Sequence, residues 1–179
     1  GATFPECVPL LTDTPKIRSL TDPLKKMSKS LGERNLISLA DEPEAIRDKI
    51  KRAITETTGV IKMSEEDLER QLAKTDLATA TLDELRGISG VWNLLTMLKL
   101  FGKSGEADRV LAGQPIKYSE LKNLVATRVA EHFAPFRAKR KVLAKNPAKV
   151  RAVLAAGAKN ARAAAKATMQ IVRKKIGLR

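Results

Sequence analysis

From Asp41 onward, apolar residues recur three and four positions apart, and most such stretches open on a helix-start signal. Most of this 179-residue chain can therefore fold only as amphipathic helices. Asp41 precedes Pro43 and has Glu44 three residues on. Ile46, Ile50, Ala53 and Ile54 then share one face, which predicts a helix to about Glu56. Ser64-Glu65-Glu66-Asp67 starts a second, short helix, with its acids over the positive end of the dipole. Thr81-Leu82-Asp83-Glu84 opens a third, predicted to pause around Gly87–Gly90, resume at Val91 and end at Gly102. Ser104 caps a short helix to Ala112. The longest helix is predicted to start at Tyr118 or Ser119. Leu121, Leu124, Val125, Val129 and Phe133 form its stripe, and Pro135 kinks it by removing one backbone hydrogen bond. Asn146-Pro147 marks a stop and restart, followed by a helix pair hinged near Gly157 and running to Ile176.

Residues before Asp41 follow another pattern. Pro5, Pro9 and Pro15 punctuate a stretch without helical periodicity, Ile17-Arg18-Ser19-Leu20 reads as a short strand, and a polar loop continues to Gly32. Ile37-Ser38-Leu39 reads as a second extended piece. Gly1 to Leu11 lacks the basic start and apolar run of a signal peptide and reads as a mid-protein segment.

Aromatic residues make up only 3% of the chain, so the core must rest on Leu, Ile, Val and Ala. No apolar run reaches membrane-spanning length. One cysteine, Cys7, makes no internal disulfide and no cysteine-based metal cage; it fits a reducing, cytosolic setting and is expected to be a small packing residue. The single histidine, His132, lies in a predicted helix beside Phe133 and is expected to be a partly buried helix residue. No protein-ligated metal is expected.

The net charge of +14 is entirely local. Gly1 to Thr127 carries 19 basic and 19 acidic residues, whereas Arg128 to Arg179 carries fifteen basic residues and the lone acid Glu131. Such segregation points to a polyanionic partner, because neutralising phosphates releases their counterions. The Ala/Lys-rich stretch 155–167 can be helical with little packing support. Its spaced apolar set (Val150, Val153, Leu154, Ala158, Ala161, Ala165, Met169, Val172 and Ile176) predicts a packed amphipathic helix rather than a disordered arm.

The segment that carries chemistry is Ser19-Leu-Thr-Asp-Pro-Leu-Lys-Lys-Met-Ser-Lys-Ser30. Lys26 and Lys29 alternate with Ser28 and Ser30 in a loop expected to be flexible. Ammonium groups neutralise phosphate charge while hydroxyls and backbone N–H groups orient it, so the array suits a triphosphate. An ordinary basic turn has the same composition.

Lys26-Met27-Ser28-Lys29-Ser30 matches the signature loop of the class I aminoacyl-tRNA synthetases without a mismatch, and Ser19-Leu-Thr-Asp-Pro before it resembles the tryptophanyl family. Further stretches similar to that family follow in order: Asp41-Glu-Pro-Glu with Ile46, Lys49 and Ile50, then Gly87-Ile88 with Asn93-Leu94-Leu95, Tyr118 with Leu121-Lys122, Pro135, Gly157-Ala158 and Ile176-Gly-Leu178. Leu31-Gly32 departs from the Asp-Pro that many tryptophanyl enzymes carry there.

The resemblance implies that Lys26 and Lys29 bind the ATP phosphates and stabilise the pyrophosphate leaving group. It implies that Ser28 and Ser30 hydrogen-bond those phosphates, Met27 positions the loop, and the backbone of Ile17 abuts the adenine. It implies residues 1–40 as the end of a Rossmann-type nucleotide-binding domain and residues 41–179 as a helical bundle of the anticodon-binding type, mainly α overall. Partners would be ATP with Mg2+, L-tryptophan, tRNA(Trp) and a second subunit in a cytoplasmic homodimer. The family's His-x-Gly-His signature needs two histidines, which this sequence lacks, so the chain is expected to be a C-terminal portion that is inactive alone. A non-enzymatic, basic helical nucleic-acid-binding protein accounts for the charge but not for the ordered matches.

Overall fold

The computed structural model describes residues 3–4, 6–12, 14, 16–55, 60–61, 82–112 and 116–178. The described chain is mainly helical. The helices are α1 (Pro43–Lys51), α2 (Leu82–Phe101), α3 (Glu106–Leu111), α4 (Tyr118–His132), α5 (Ala134–Ala144) and α6 (Pro147–Lys175). Two short strands, β1 (Val60–Ile61) and β2 (Ile116–Lys117), pair antiparallel with Val60 opposite Lys117. The predicted helix at Ser64 and the cap at Thr81 lie outside the described residues. The chain forms two compact units, Thr12–Arg137 and Gly1–Leu11 with Ala138–Arg179.

In the first unit, α4 packs against both α1 and α2. Ile46 and Ile50 of α1 meet Val91, Leu94, Leu95 and Leu98 of α2 and Leu121, Val125 and Val129 of α4 in one buried core, which rests mainly on aliphatic side chains as expected, with Tyr118 its one buried aromatic among the described residues. Leu20, from the segment before the helices, is buried in the same core. α1 stops earlier than its apolar pattern suggests. Arg52 and Ala53 fold back onto Asp48 and Ile50, and the Ile54 N–H leaves to bond the Leu20 carbonyl at 2.9 Å. Asp41 does not cap α1. Its carboxylate takes the Ser38 N–H at 2.9 Å and the Lys49 ammonium at 2.6 Å, while Glu42 precedes the helix without a side-chain cap. Lys122 of α4 reaches the Ala53 carbonyl at 2.8 Å, putting a cation just past the negative end of α1.

The glycines of α2 do not interrupt it. Gly90 is buried where the helix crosses the chain at Ile54, and a Cβ there would land on the Ile54 carbonyl, so Gly90 serves close approach rather than a break. Pro135 ends the predicted long helix instead of kinking it. The α4 ladder closes at Phe133, and Pro135 falls in the first turn of α5, where its missing N–H costs nothing. Arg137 is buried and donates to the Ala130 carbonyl at 2.6 Å, satisfying an orphan acceptor at the α4 terminus. His132, the last residue of α4, is exposed and meets Phe101 and Phe133 edge-on at 5.0 and 4.9 Å.

The short helix predicted from Ser104 is α3, preceded by Gly105 at φ +77°. Glu106 accepts the Lys103 N–H at 2.9 Å and pairs with Arg128 of α4 at 2.8 Å, both side chains 15% exposed. Hydrogen bonding from Arg128 and from the Lys103 backbone holds the Glu106 carboxyl at about 2, well below its ordinary 4.5.

In the second unit, α6 begins as predicted, with Pro147 at its first position and the Asn146 side chain accepting the Lys149 N–H at 3.1 Å. Gly157 does not hinge it, since one interior glycine costs only about 1 kcal/mol among so many alanines. The helix is thus the longest here, at 29 residues. Its apolar set is not packed: no α6 residue is buried. Cys7, expected inside, is exposed.

Two outcomes test these assignments by denaturant unfolding. Gly90→Ala should destabilise by at least about 1–3 kcal/mol through overpacking, while Gly157→Ala should stabilise α6 by up to about 1 kcal/mol. Because the folded pKa of Glu106 lies below its unfolded value, its contribution is complete above about pH 4.5 and is lost as pH falls toward about 2. Glu106→Gln should remove that part of the acid-unfolding limb and leave the protein less stable at neutral pH.

Candidate functional site

The loop from Ser19 to Asn35 is built on a small hairpin. Arg18 pairs with Lys26 in a single antiparallel bridge, flanked by Met27 N–H to the Ile17 carbonyl and Ser19 N–H to the Lys25 carbonyl, both 2.9 Å. The predicted strand at 17–20 is reduced to this one bridge. At the hairpin turn the Ser19 hydroxyl accepts the Asp22 N–H at 3.1 Å, and Lys25 N–H closes onto the Asp22 carbonyl. Proline at position 23, buried, fits such a turn.

The other edge of the hairpin is held by a side chain rather than a strand. Asn93 of α2 is 2% exposed. Its oxygen accepts the Arg18 N–H at 2.8 Å, and its amide donates to the Arg18 carbonyl at 2.9 Å. One amide thus imitates a neighbouring strand and fixes the hairpin to the helical core.

After Met27 the chain turns twice, through 3-10 turns at Lys29–Leu31 and Glu33–Asn35. Ser28 caps the first: its hydroxyl accepts the Ser30 N–H at 3.4 Å and meets the Ser30 hydroxyl at 2.8 Å. Gly32, between the turns, has φ +90°, a left-handed value that favours glycine over the Asp-Pro alternative.

The structure separates the three lysines of the loop. Lys25 pairs with Asp22 at 3.0 Å, and Arg86 of α2 approaches the same carboxylate at 3.4 Å. The Lys25 contact, with help from Arg86, holds the Asp22 carboxyl below the usual carboxylate range. Lys26 and Lys29 are exposed, and among the described residues neither forms an ion pair. Ile17 and Met27 are half-buried against the core and joined by their backbone bond. The six residues singled out in the sequence therefore lie along one hairpin and its following turn. Asn35 and Asn93, which tie that turn and hairpin down, were not recognised as anchors. Asn35 sits in a polar run that looks like any loop, and Asn93 showed only as part of a family pattern.

Beside the hairpin, a cleft of about 410 Å3 is lined by Thr14, Lys16, Arg18, Trp92, Asn93, Thr96 and Lys99. Among the described residues, no group of three or more His, Cys, Asp or Glu side chains could hold a metal ion. Nor is any described helix long and apolar enough to cross a membrane.

The family described as tRNA synthetases class I (W and Y) matches residues 1–134. The tryptophan–tRNA ligase of Clostridium perfringens is 34% identical over 164 residues, covering 91% of this chain and 43% of that protein. Tryptophan–tRNA ligase 2 of Streptomyces avermitilis is 32% identical, covering 99% and 47%. The chain thus spans about half the length of these relatives. Among solved structures, the tryptophanyl-tRNA synthetase of Mycoplasma pneumoniae superposes with a TM-score of 0.64 at 24% identity, covering 93% of this chain and 45% of that one. That of Campylobacter jejuni, complexed with ADP and tryptophan, gives 0.58 at 21% identity.

Proposed function

Because this chain belongs to the tryptophanyl-tRNA synthetase family of the class I synthetases, we propose that it supplies the phosphate-binding loop and the tRNA-binding helices of an ATP-dependent tryptophan–tRNA ligase. The observation that carries this reading is the sorting of the loop lysines. Lys25 is used up in structure, while Lys26 and Lys29, the two of the signature, stand exposed without a carboxylate partner among the described residues.

In the activation step, a carboxylate oxygen of L-tryptophan attacks the α-phosphorus of ATP as the bond to the bridging oxygen breaks, giving tryptophanyl-adenylate and pyrophosphate. The second step passes the tryptophanyl group to the tRNA. No side-chain nucleophile is needed. Lys26 and Lys29 act by placing positive charge where negative charge grows on the departing phosphates, and Ser28 and Ser30 by orienting those phosphates. Met27 holds the loop to the core, and the Ile17 backbone lies against the adenine. Mg2+ would travel with ATP.

The helices after Arg128 are read as the tRNA-binding part, within an anticodon-binding domain spanning 41–179 that follows the end of a Rossmann-type domain at 1–40. The structure narrows the basic candidates. Arg128 is paired with Glu106 and Glu131, and Arg137 is buried, so neither is free to meet a phosphate. The exposed cations of α6 (Lys149, Arg151, Lys159, Arg162, Lys166, Arg173 and Lys174) lie on a helix without a single acid. At 1.5 Å per residue it is about 44 Å long. Such a rod repels itself unless a polyanion lies along it, and phosphate contacts of this kind position RNA without reading its sequence. A cytoplasmic homodimer is the family's usual form, with its subunit contact expected largely outside this chain.

ATP–pyrophosphate exchange dependent on tryptophan tests the reading. In the complete enzyme containing this chain, Lys29→Ala should lower the exchange rate by roughly a hundredfold or more, and the isolated chain should give none. An unchanged rate in the Lys29→Ala enzyme would remove Lys29 from this role.

A further inference from the structure

We propose that Asn35 is the positioning residue of the signature loop, setting the conformation in which Lys29 meets polyphosphate. The inference rests on reading that loop as a phosphate clamp. Asn35 lies nine residues beyond Lys26 in a stretch of exposed polar residues, yet it is completely buried, at 0% exposure. Its side-chain oxygen accepts the Ser28 N–H at 3.2 Å, and its amide nitrogen donates to the Ser28 carbonyl at 2.9 Å and to the Gly32 carbonyl. Its own backbone carbonyl accepts the Leu20 N–H at 2.9 Å.

These four bonds have a geometric consequence. Both polar groups of the Ser28 backbone, in the middle of the signature, are taken by one side chain, and the loop from 28 to 35 is closed into a ring around it. Leu20, at 1% exposure, in turn accepts the Ile54 N–H. Ser28 is therefore linked to the helical core through Asn35 and Leu20 on one side, and through Met27, packed on the core, on the other. Lys29, the next residue, begins the 3-10 turn whose cap is the Ser28 hydroxyl. Its direction follows from the Ser28 backbone, which Asn35 holds. The turn's own bonds, Leu31 to Ser28 and Gly32 to Lys29, are both 3.2 Å and span three residues, so they cannot fix the turn against the core.

Only a carboxamide satisfies this site. The Ser28 N–H needs an acceptor, and two carbonyls need donors, which fixes the orientation of the amide. A carboxylate of nearly the same shape would face two carbonyl oxygens, and a buried acceptor without a donor is unfavourable. Asn35→Asp therefore keeps the shape of the side chain while removing its two donated bonds and adding a buried negative charge.

The test is a double-mutant cycle in the complete enzyme, read by tryptophan-dependent ATP–pyrophosphate exchange. Asn35→Asp should lower kcat by roughly tenfold to a hundredfold, the scale of an ångström-level misplacement, with the KM for tryptophan unchanged. In a Lys29→Ala background the same substitution should cost far less, because the group it positions is gone. Equal losses with and without Lys29, or a matching rise in the tryptophan KM, would overturn the inference while leaving the clamp reading intact. If Lys29→Ala alone left the rate unchanged, the clamp reading would fall and this inference with it. Hydrogen exchange needs no variant. The Ser28 amide should be protected at least tenfold relative to the Glu33 amide in the unmodified enzyme, and equal exchange at the two would overturn the proposal.

Discussion

Leu20 donates its N–H to Asn35, accepts the Ile54 N–H at its carbonyl, and buries its side chain with Ile46, Ile50 and Val91. This junction joins the loop to the helices in the first unit. Toward the loop, it anchors the residue that holds Ser28. Toward the helices, it takes the amide at which the chain leaves α1, and it lies where Gly90 lets α2 approach Ile54. A loop of exposed lysines would ordinarily sample many conformations. Here the backbone beside the lysines is hydrogen-bonded to the buried side-chain amides of Asn35 and Asn93, in place of the flexible loop expected from the sequence. Electrostatic stabilisation of a phosphate favours that combination, in which charge is placed beforehand and, among the described residues, no carboxylate pairs with the ammonium groups.

Charge is used in two ways along the chain. Within the first unit, Lys26 and Lys29 apart, it is used in pairs and caps such as Glu106 with Arg128, Asp41 with Lys49, Asp22 with Lys25 and Arg86, and Arg137 onto a helix-end carbonyl. These partly buried contacts are structural, and the depressed Glu106 carboxyl is their signature. On α6 the cations meet no acid within their own helix. The same residue types thus support the fold in one unit and present an unbalanced field in the other.

The helices were legible because their apolar spacing and caps are local. The restart at Asn146-Pro147 and the core positions Ile46, Ile50, Leu121 and Val125 follow from the sequence directly. What was not legible is what depends on distant residues. Gly87 and Gly90 look like breakers until Ile54 is known to cross at Gly90. Pro135 looks like a kink, although the ladder has already closed at Phe133. The apolar set of α6 has the spacing of a packed face, yet no residue of that helix is buried, and spacing alone cannot say whether a partner is present. The lysine–serine pattern of the loop is visible in the sequence. Its anchors are not, because Asn35 is a single polar residue in a polar run and Asn93 acts across 75 residues.

The central claim is that Lys26 and Lys29 are held ready for polyphosphate while Lys25 is not. Lysine acylation in the complete enzyme, read residue by residue by mass spectrometry with and without ATP, addresses it most directly. ATP should strongly protect Lys26 and Lys29 and leave the reactivity of Lys25 and the α6 lysines unchanged. Equal labelling of Lys26 and Lys29 in the presence and absence of saturating ATP would contradict the account.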